Sequence, residues 1–549
     1  MEAPQTKPKK MNIHEEAARC LVCVDAPCTT ACPSGDPARA IRAIRFGNEA
    51  LASRWVAACT DADLAAAEQA CIHYDRPIRI GELARAIGSS CLEPGGEAPG
   101  TAAGGEAQGT AAGGEAQGTA AGGEAPGTAA GPSLAIDFCG IHCENPFFLA
   151  SSAVCTSYEM VARAFDLGWG GVFYKTICKQ EINEVSPRFD AVKHGTSIEG
   201  FRNMEQLSEN PYLTDFDILR RLKRDYPTKI VIASIMGQVE EEWIELARLA
   251  EEAGCDAVEL NFSCPQMRLA GMGSDVGQNL ELVTFYTTYV KGAVSIPVIP
   301  KMTPNITRMQ EPAVGAYFAG ADGISAINTI KSITMSPQAA VGKKMTISGY
   351  SGKAVKPIAQ RYILEMVTHP IMNRLHTVDF SGIGGIETWR DALEFMQLGC
   401  RNVQVCTAVM QYGYRIIDDM LLGLTTYLRQ RGVERLEDIV GEELPNFVPP
   451  SQLDRDTVVY PKIDRSRCMG CGRCYISCRD GGHQAIAFDS ATRQPRLIGS
   501  KCVGCHLCRL VCPTEAIGMA KRVAKRKAPE PDEKATTARR PRCSTPRRQ

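Results

Sequence analysis

Between Leu134 and about Gln430, short apolar runs alternate with amphipathic stretches eight times. The runs are Phe147–Ala150, Val172–Lys175, Ile230–Ser234, Ala257–Asn261, Val298–Lys301, Gly323–Ile327, Val378–Gly382 and Val403–Cys406, with helical stretches such as Val239–Ala253 and Thr388–Leu398 between them. Such a run is a strand with little polar edge, and strand–helix units repeated in this way build a parallel sheet. Eight of them fit a closed (β/α)8 TIM barrel. The alternative α/β solution is a doubly wound open sheet. It is weakened because no G-x-G-x-x-G opens a helix after a strand.

A barrel of this kind keeps its chemistry at the carboxyl ends of its strands. Polar residues gather there: Lys175-Thr176 after the second run, Asn261-Phe262-Ser263-Cys264 after the fourth and Lys301 after the fifth. Asn328-Thr329 follows the sixth, Gly382 to Gly385 the seventh, and Cys406-Thr407 the eighth. Asn supplies donors and an acceptor, Ser a hydroxyl, and Cys a proton whose pKa lies within reach of neutral. Together they can hold a polar heterocycle and deliver one proton to it. Two lysines and glycine-rich late loops suit an anionic cofactor, because backbone N–H groups there can approach a phosphate closely. FMN fits, with one phosphate and a ring nitrogen that needs a cation nearby when reduced.

The chain has 24 cysteines. Cys468-x-x-Cys471-x-x-Cys474-x-x-x-Cys478 and Cys502-x-x-Cys505-x-x-Cys508-x-x-x-Cys512-Pro513 form a two-cluster ferredoxin pattern, in which the fourth cysteine of each run serves the other cluster. One [4Fe-4S] cube is then expected on Cys468, Cys471, Cys474 and Cys512, the other on Cys478, Cys502, Cys505 and Cys508. Near the start, Cys20-x-x-Cys23-x-x-x-x-Cys28-x-x-x-Cys32-Pro33 places four thiols too close together for the two separated pairs usual in structural zinc sites, so iron–sulfur is expected there too. Tight spacing in a large chain without a secretory signal indicates metal rather than disulfides, hence a reducing cytoplasm.

The expected organisation is a helical iron–sulfur domain over 1–90, a flexible linker over 91–133, an FMN-binding barrel over 134–445, a ferredoxin-like α+β domain over 446–520 and a disordered basic tail over 521–549. The linker repeats a nine-residue Gly/Ala-rich unit four times and cannot bury a core. A net charge of −1 argues against a nucleic-acid or membrane surface as the main partner, and no apolar run approaches the ~20 residues that span a bilayer.

Phe201-Arg-Asn-Met-Glu205, Asn261-Phe-Ser-Cys-Pro-Gln266, Lys301-Met-Thr-Pro-Asn305, Asn328-Thr329, Ser351-Gly352, Gly384-Gly385 and the ferredoxin runs make Leu134–Met519 resemble the dihydropyrimidine dehydrogenase family, in particular the FMN/iron–sulfur subunit of its bacterial two-subunit members. The resemblance implies a pyrimidine site at Asn203, Asn261, Phe262 (through its backbone), Ser263, Asn328 and Thr329, with Glu205 nearby and Cys264 as general acid. It implies FMN on Ser151, Lys175, Thr176, Lys301, Gly352, Ile383, Gly384, Gly385, Cys406 and Thr407. The N-terminal stretch resembles the iron–sulfur head of the family's FAD-bearing, NAD(P)H-oxidising half. That implies one [4Fe-4S] cluster on Cys20, Cys23, Cys28 and Cys71. A second, drawing on Cys32, lacks ligands, since Ala84 stands where the family offers Gln.

The expected reaction is reversible reduction of uracil or thymine to the 5,6-dihydro base, with hydride from FMN and a proton from Cys264. Electrons arrive through the clusters from a partner FAD/NAD(P)H-oxidising subunit, in a homo- or hetero-oligomer. A dihydroorotate dehydrogenase-type enzyme and a pure electron-transfer protein are the competing readings. Dihydroorotate as substrate would favour the first, and a spectrum without flavin the second.

Overall fold

The computed structural model describes residues 11–88, 131–194, 197–265, 267, 271–333, 346–375 and 378–525. The described residues divide into two units, Ile13–Phe447 and a second made of 448–525 with 11–12.

In the first unit all eight apolar runs are strands: β1 (Phe147–Leu149), β2 (Gly171–Phe173), β3 (Ile230–Ile235), β4 (Ala257–Asn261), β5 (Val298–Lys301), β6 (Gly323–Ala326), β7 (Asp379–Ile383) and β8 (Cys400–Val405). They close in sequence order, β8 returning to pair in parallel with β1 through Val403–Phe147 and Gln404–Phe148. Closure excludes the open sheet. β1 to β5 are buried at every position, as expected of strands covered by helices outside and side chains within. The helix Trp389–Gln397 starts where its sequence dictates: Thr388 accepts from the Asp391 N–H, and the Asp391 carboxylate accepts from the Thr388 N–H.

Six further strands of this unit went unrecognised in the sequence, and two of them, Ile136–Phe138 and Ile141–Cys143, pair antiparallel ahead of β1. Ile330–Ser332, Ser348–Ser351, Ser197–Asn203 and Phe189–His194 make an antiparallel sheet in that order, inserted after β2 and β6. Their short mixed-polarity runs carry neither a buried-strand nor a clear alternating signature.

The head comprises six short helices between Ile13 and Gly88. It packs on the barrel flank through Phe46, which meets the Tyr412 ring edge-on at 5.3 Å and belongs to the barrel core. Polar contacts surround it: Asn48 Nδ2 donates to the Asp419 carbonyl at 3.0 Å, and Arg415 Nη2 to the Val22 carbonyl at 2.6 Å. Most of the linker lies outside the described residues, and the chain is described again from Gly131, with the Ser133 N–H donating to the Glu434 carbonyl at 2.8 Å.

The second unit is a small α+β fold. Thr457–Ile463 pairs antiparallel with Ile517–Ala524, Ile486–Asp489 pairs with Gln494–Leu497, and helices Arg473–Gly481 and Leu507–Leu510 each carry cysteines. The boundary expected at 520 falls short. Lys521–Ala524, read as the start of the tail, continue the last strand, with Val523 opposite Val458. Residues 526–549, the rest of that expected tail, lie outside the described residues. Among the described residues no helix is long and apolar enough to cross a membrane.

Candidate active site and cysteine-lined cavities

A cavity of about 1030 Å³, counting its open mouth, sits where the carboxyl ends of the barrel strands converge. It brings together Cys264, Asn203, Asn261, Asn328 and Thr329 with Ser151, Lys175, Thr176, Lys301, Gly352, Ile383, Gly384, Gly385, Cys406 and Thr407. Two expected residues are not on its wall. Phe262 is fully buried against Trp243, ring centroids 5.1 Å apart, and its N–H donates to the Leu260 carbonyl. Ser263 is fully buried behind the wall, bonded to the side chains of Asn261 and Asn328. An apolar ring next to a strand end finds its place in the hydrocarbon behind the strand, and this takes the Phe262 backbone with it.

The polar residues form one connected chain. Asn261 Nδ2 donates to Thr176 Oγ1 at 2.8 Å, and Asn261 Oδ1 accepts from Ser263 Oγ at 2.7 Å. Asn328 Nδ2 donates to Ser263 Oγ at 2.8 Å. Both lysines are almost fully buried and each faces a buried glutamate: Lys175 Nζ lies 3.2 Å from Glu205 Oε2, and Lys301 Nζ 3.4 Å from Glu259 Oε1. A buried ammonium stripped of its partner costs about 3–5 kcal/mol, so the pairing is what allows two cations beneath one cavity.

The inserted sheet supplies Asn203, Phe201, Tyr350 and Ser351 to the cavity. Tyr350, Gln404, Glu387 and Met410 are wall residues that sequence reasoning did not single out. Glu259, beneath the wall, was also passed over, although a glutamate inside the apolar run Ala257–Leu260 is a readable anomaly. Burial raises the Glu387 carboxyl to about 7, and burial likewise raises the Cys406 thiol.

The cavity suits FMN on structural grounds. Gly352, Gly384 and Gly385 have φ of +91°, +122° and +74°, and a Cβ on Gly385 would lie 2.8 Å from Lys356 N, at the start of the twelve-residue helix Lys356–Val367. Side chains are thereby kept away from a helix N-terminus, the usual setting for a phosphate. Deeper in, Gln404 Oε1 is buried and has no partner among the described residues, although its Nε2 donates to Ser381 Oγ at 2.9 Å and Ser325 Oγ at 3.2 Å.

Three smaller cavities are each lined by four cysteines. Cys468, Cys471, Cys474 and Cys512 surround one of about 340 Å³, and Cys478, Cys502, Cys505 and Cys508 another of about 340 Å³. In the head, Cys20, Cys23, Cys28 and Cys71 surround one of about 390 Å³. Zinc would draw four sulfurs to within roughly 3.8 Å of one another, given a Zn–S bond of about 2.3 Å. Among the described residues no three His, Cys, Asp or Glu side chains converge on a single ion. Thiols standing around a void suit a multi-atom cluster. Cys32, the fourth cysteine of the first run, faces away from this void. Its sulfur lies 3.2 Å from that of Cys59, and burial together with Cys32 pushes the Cys59 thiol up to about 11.

A closed parallel barrel with a buried polar cavity at its strand ends, joined to a ferredoxin-like fold, defines an oxidoreductase of the dihydroorotate dehydrogenase type. The sequence model of the dihydroorotate dehydrogenase family matches residues 133–428, and that of the 4Fe-4S dicluster domain residues 461–519. The NAD-dependent dihydropyrimidine dehydrogenase subunit PreA of Escherichia coli strain K12 is 54% identical over 391 residues, 70% of this chain and 94% of that protein. The chloroplastic NADP-dependent dihydropyrimidine dehydrogenase of Arabidopsis thaliana is 36% identical over 338 residues, covering 59% of this chain and 79% of that protein. The catalytic subunit of dihydroorotate dehydrogenase B from Pyrococcus abyssi is 36% identical over 317 residues, 56% of this chain and 98% of that protein. The chain belongs to the dihydropyrimidine dehydrogenase family, as a flavin and iron–sulfur oxidoreductase.

Proposed function

We propose that this chain reversibly reduces uracil and thymine to their 5,6-dihydro forms, as the catalytic subunit of an assembly whose other member is a flavoprotein that oxidises NAD(P)H. The observation that carries this reading is the meeting of Cys264 with Asn203, Asn261, Asn328 and Thr329 around a cavity floored by Lys175 and Lys301. The names of the relatives support it.

Ser151, Lys175, Thr176, Lys301, Gly352, Ile383, Gly384, Gly385, Cys406 and Thr407 would hold FMN, which would supply the hydride chemistry, and the three cysteine sets would hold iron–sulfur clusters suited to single-electron transfer. The protein's own groups do the rest. The amides of Asn203, Asn261 and Asn328 and the hydroxyl of Thr329 pair with the carbonyl and N–H edge of the base and fix its plane. Donors aimed at the carbonyl oxygens stabilise negative charge as it builds there. Cys264 gives its proton to C5 of the base, and takes one back in the reverse direction. Lys175 and Lys301 balance the negative charge of the reduced cofactor. Walls that bury these groups exclude bulk water and strengthen each interaction.

The test is chemical analysis of protein purified without oxygen, followed by reduction of the chain with dithionite and addition of uracil, thymine or orotate. One FMN, about twelve iron atoms in three cubes and consumption of uracil and thymine are expected. Turnover of orotate in preference to uracil would make the chain a dihydroorotate dehydrogenase instead, and a preparation without flavin would remove the reaction altogether. NADH oxidation by this chain alone would dismiss the partner.

A further inference from the structure

We propose that the carboxylate of Glu259, sealed inside the barrel, is a positioning residue that sets the direction of the site's hydrogen bonds and gives Lys301 its counter-ion. The proposal rests on the reading of the cavity as a pyrimidine and flavin site.

Glu259 is fully buried, in the middle of β4. As a carboxylate it can only accept. Ser234 Oγ therefore donates to Glu259 Oε1, at 2.9 Å. A hydroxyl has one proton, so Ser234 must accept from its other neighbour, Thr176 Oγ1, at 2.9 Å. Thr176 has then used its own proton and accepts twice, from Asn261 Nδ2 at 2.8 Å and from Ser151 Oγ at 3.0 Å. Asn261 turns its Oδ1 to Ser263, accepting from the Ser263 hydroxyl at 2.7 Å and the Ser263 N–H at 3.1 Å. Ser263 in turn accepts from Asn328 Nδ2 at 2.8 Å, and Asn328 Oδ1 accepts the Thr329 N–H at 2.7 Å.

Every rotor between Glu259 and Thr329 is thus determined. The backbone N–H groups of Ser263 and Thr329 pin the two amides, and the buried carboxylate fixes the direction of the hydroxyls of Ser234, Thr176 and Ser151 that lie between it and them. Two features reach the cavity as a result. Asn261 and Asn328 each keep one N–H to offer, which suits a guest carrying carbonyl oxygens. Ser151, whose proton goes to Thr176, offers only lone pairs. A ring bearing an amino group in place of one carbonyl, as cytosine does, meets a donor with a donor.

Glu259 also lies 3.4 Å from Lys301 Nζ, and its second oxygen, Oε2, is buried with no hydrogen-bond partner among the described residues. A carboxylate kept in such a place at the cost of desolvation is accounted for by what it orders.

Two variants of the flavin-loaded protein separate the branches. Glu259→Gln keeps the shape and removes the charge. It is expected to raise KM for uracil about tenfold, to narrow the preference for uracil over cytosine in competition binding, and to move the flavin midpoint potential upward, because Lys301 is left uncompensated. Ser234→Ala cuts the chain and leaves the Lys301–Glu259 pair. It is expected to raise KM and narrow the same preference while the flavin potential stays in place. A common shift of potential in both variants, or unchanged KM and base preference in Ser234→Ala, overturns the proposal; Ser234→Ala alone decides it if Glu259→Gln fails to retain flavin. Wild-type protein that does not reduce uracil sinks the underlying reading. Wild-type activity with an indifferent Glu259→Gln sinks only the role of Glu259.

Discussion

In the ferredoxin-like unit both runs of four cysteines are fully used: each run sends its fourth cysteine to the other's cavity. The head contains a similar, slightly longer run, yet only its first three cysteines share a void, the fourth place around it is taken by Cys71, and Cys32 closes on Cys59. The difference lies in what surrounds the fourth thiol. Cys478 and Cys512 each find three further cysteines around open space. Cys32 finds one, in a packed setting where a Cβ on Gly35 would come within 2.3 Å of Cys59 Sγ and 2.4 Å of the Trp55 carbonyl. A spacing motif proposes ligands; the fold shows which of those thiols face one void.

The same distinction between thiols that face a void and thiols that face protein extends into the barrel, where it carries the largest expected effect. Cys264 lines the cavity, whereas Cys155 is fully buried, bonded to the Ala150 and Phe173 carbonyls, with burial pushing its thiol up to about 12. Cys264→Ala should lower uracil turnover by about 10²–10⁴-fold with flavin content intact, while Cys155→Ala should alter thermal stability and leave turnover per flavin within twofold. Equal losses of turnover would erase the contrast.

Cys71→Ser comes next. It should remove about four of roughly twelve iron atoms per chain, read by iron and sulfide analysis. Retention of all the iron would return Cys32 to the ligand set. Gly35→Ala should destabilise the head by about 1–3 kcal/mol, since the Cys59 sulfur and the Trp55 carbonyl would have to give way; an unchanged unfolding profile would show that the Cys32–Cys59 packing is loose.

Glu387 brings the contrast to carboxylates, because it faces the cavity and burial holds it up at about 7. Its folded value lies above the unfolded value of about 4.3, so its contribution to stability is complete below that unfolded value and is lost as pH rises through about 7. The unfolding midpoint of flavin-free protein should therefore fall between pH 5 and 8, and Glu387→Gln should flatten that slope. Cys32→Ser is the smallest expected change, with iron content the same as wild type. Loss of iron there would break the comparison.

Much of this was legible in the linear chain. The eight barrel strands, the six polar strand ends and the two ferredoxin runs follow from local pattern, because burial on both faces writes itself as continuous apolar residues and cluster ligation as close cysteines. The inserted sheet that brings Asn203 and Tyr350 to the cavity was not legible, since its strands have no continuous apolar face. That the Phe262 ring packs against Trp243 was not legible either, because adjacency to Asn261 along the chain says nothing about which side of the strand end an aromatic ring takes.

Composition and spacing alone determined that this chain makes a closed α/β barrel with cysteine-rich segments on either side, because periodic burial and ligand spacing are local properties of a sequence. Which lysine meets which glutamate, what Cys32 packs against, and which way Asn261 and Asn328 turn were decided only by the tertiary structure. Those depend on contacts between residues tens of positions apart, and no local pattern carries them.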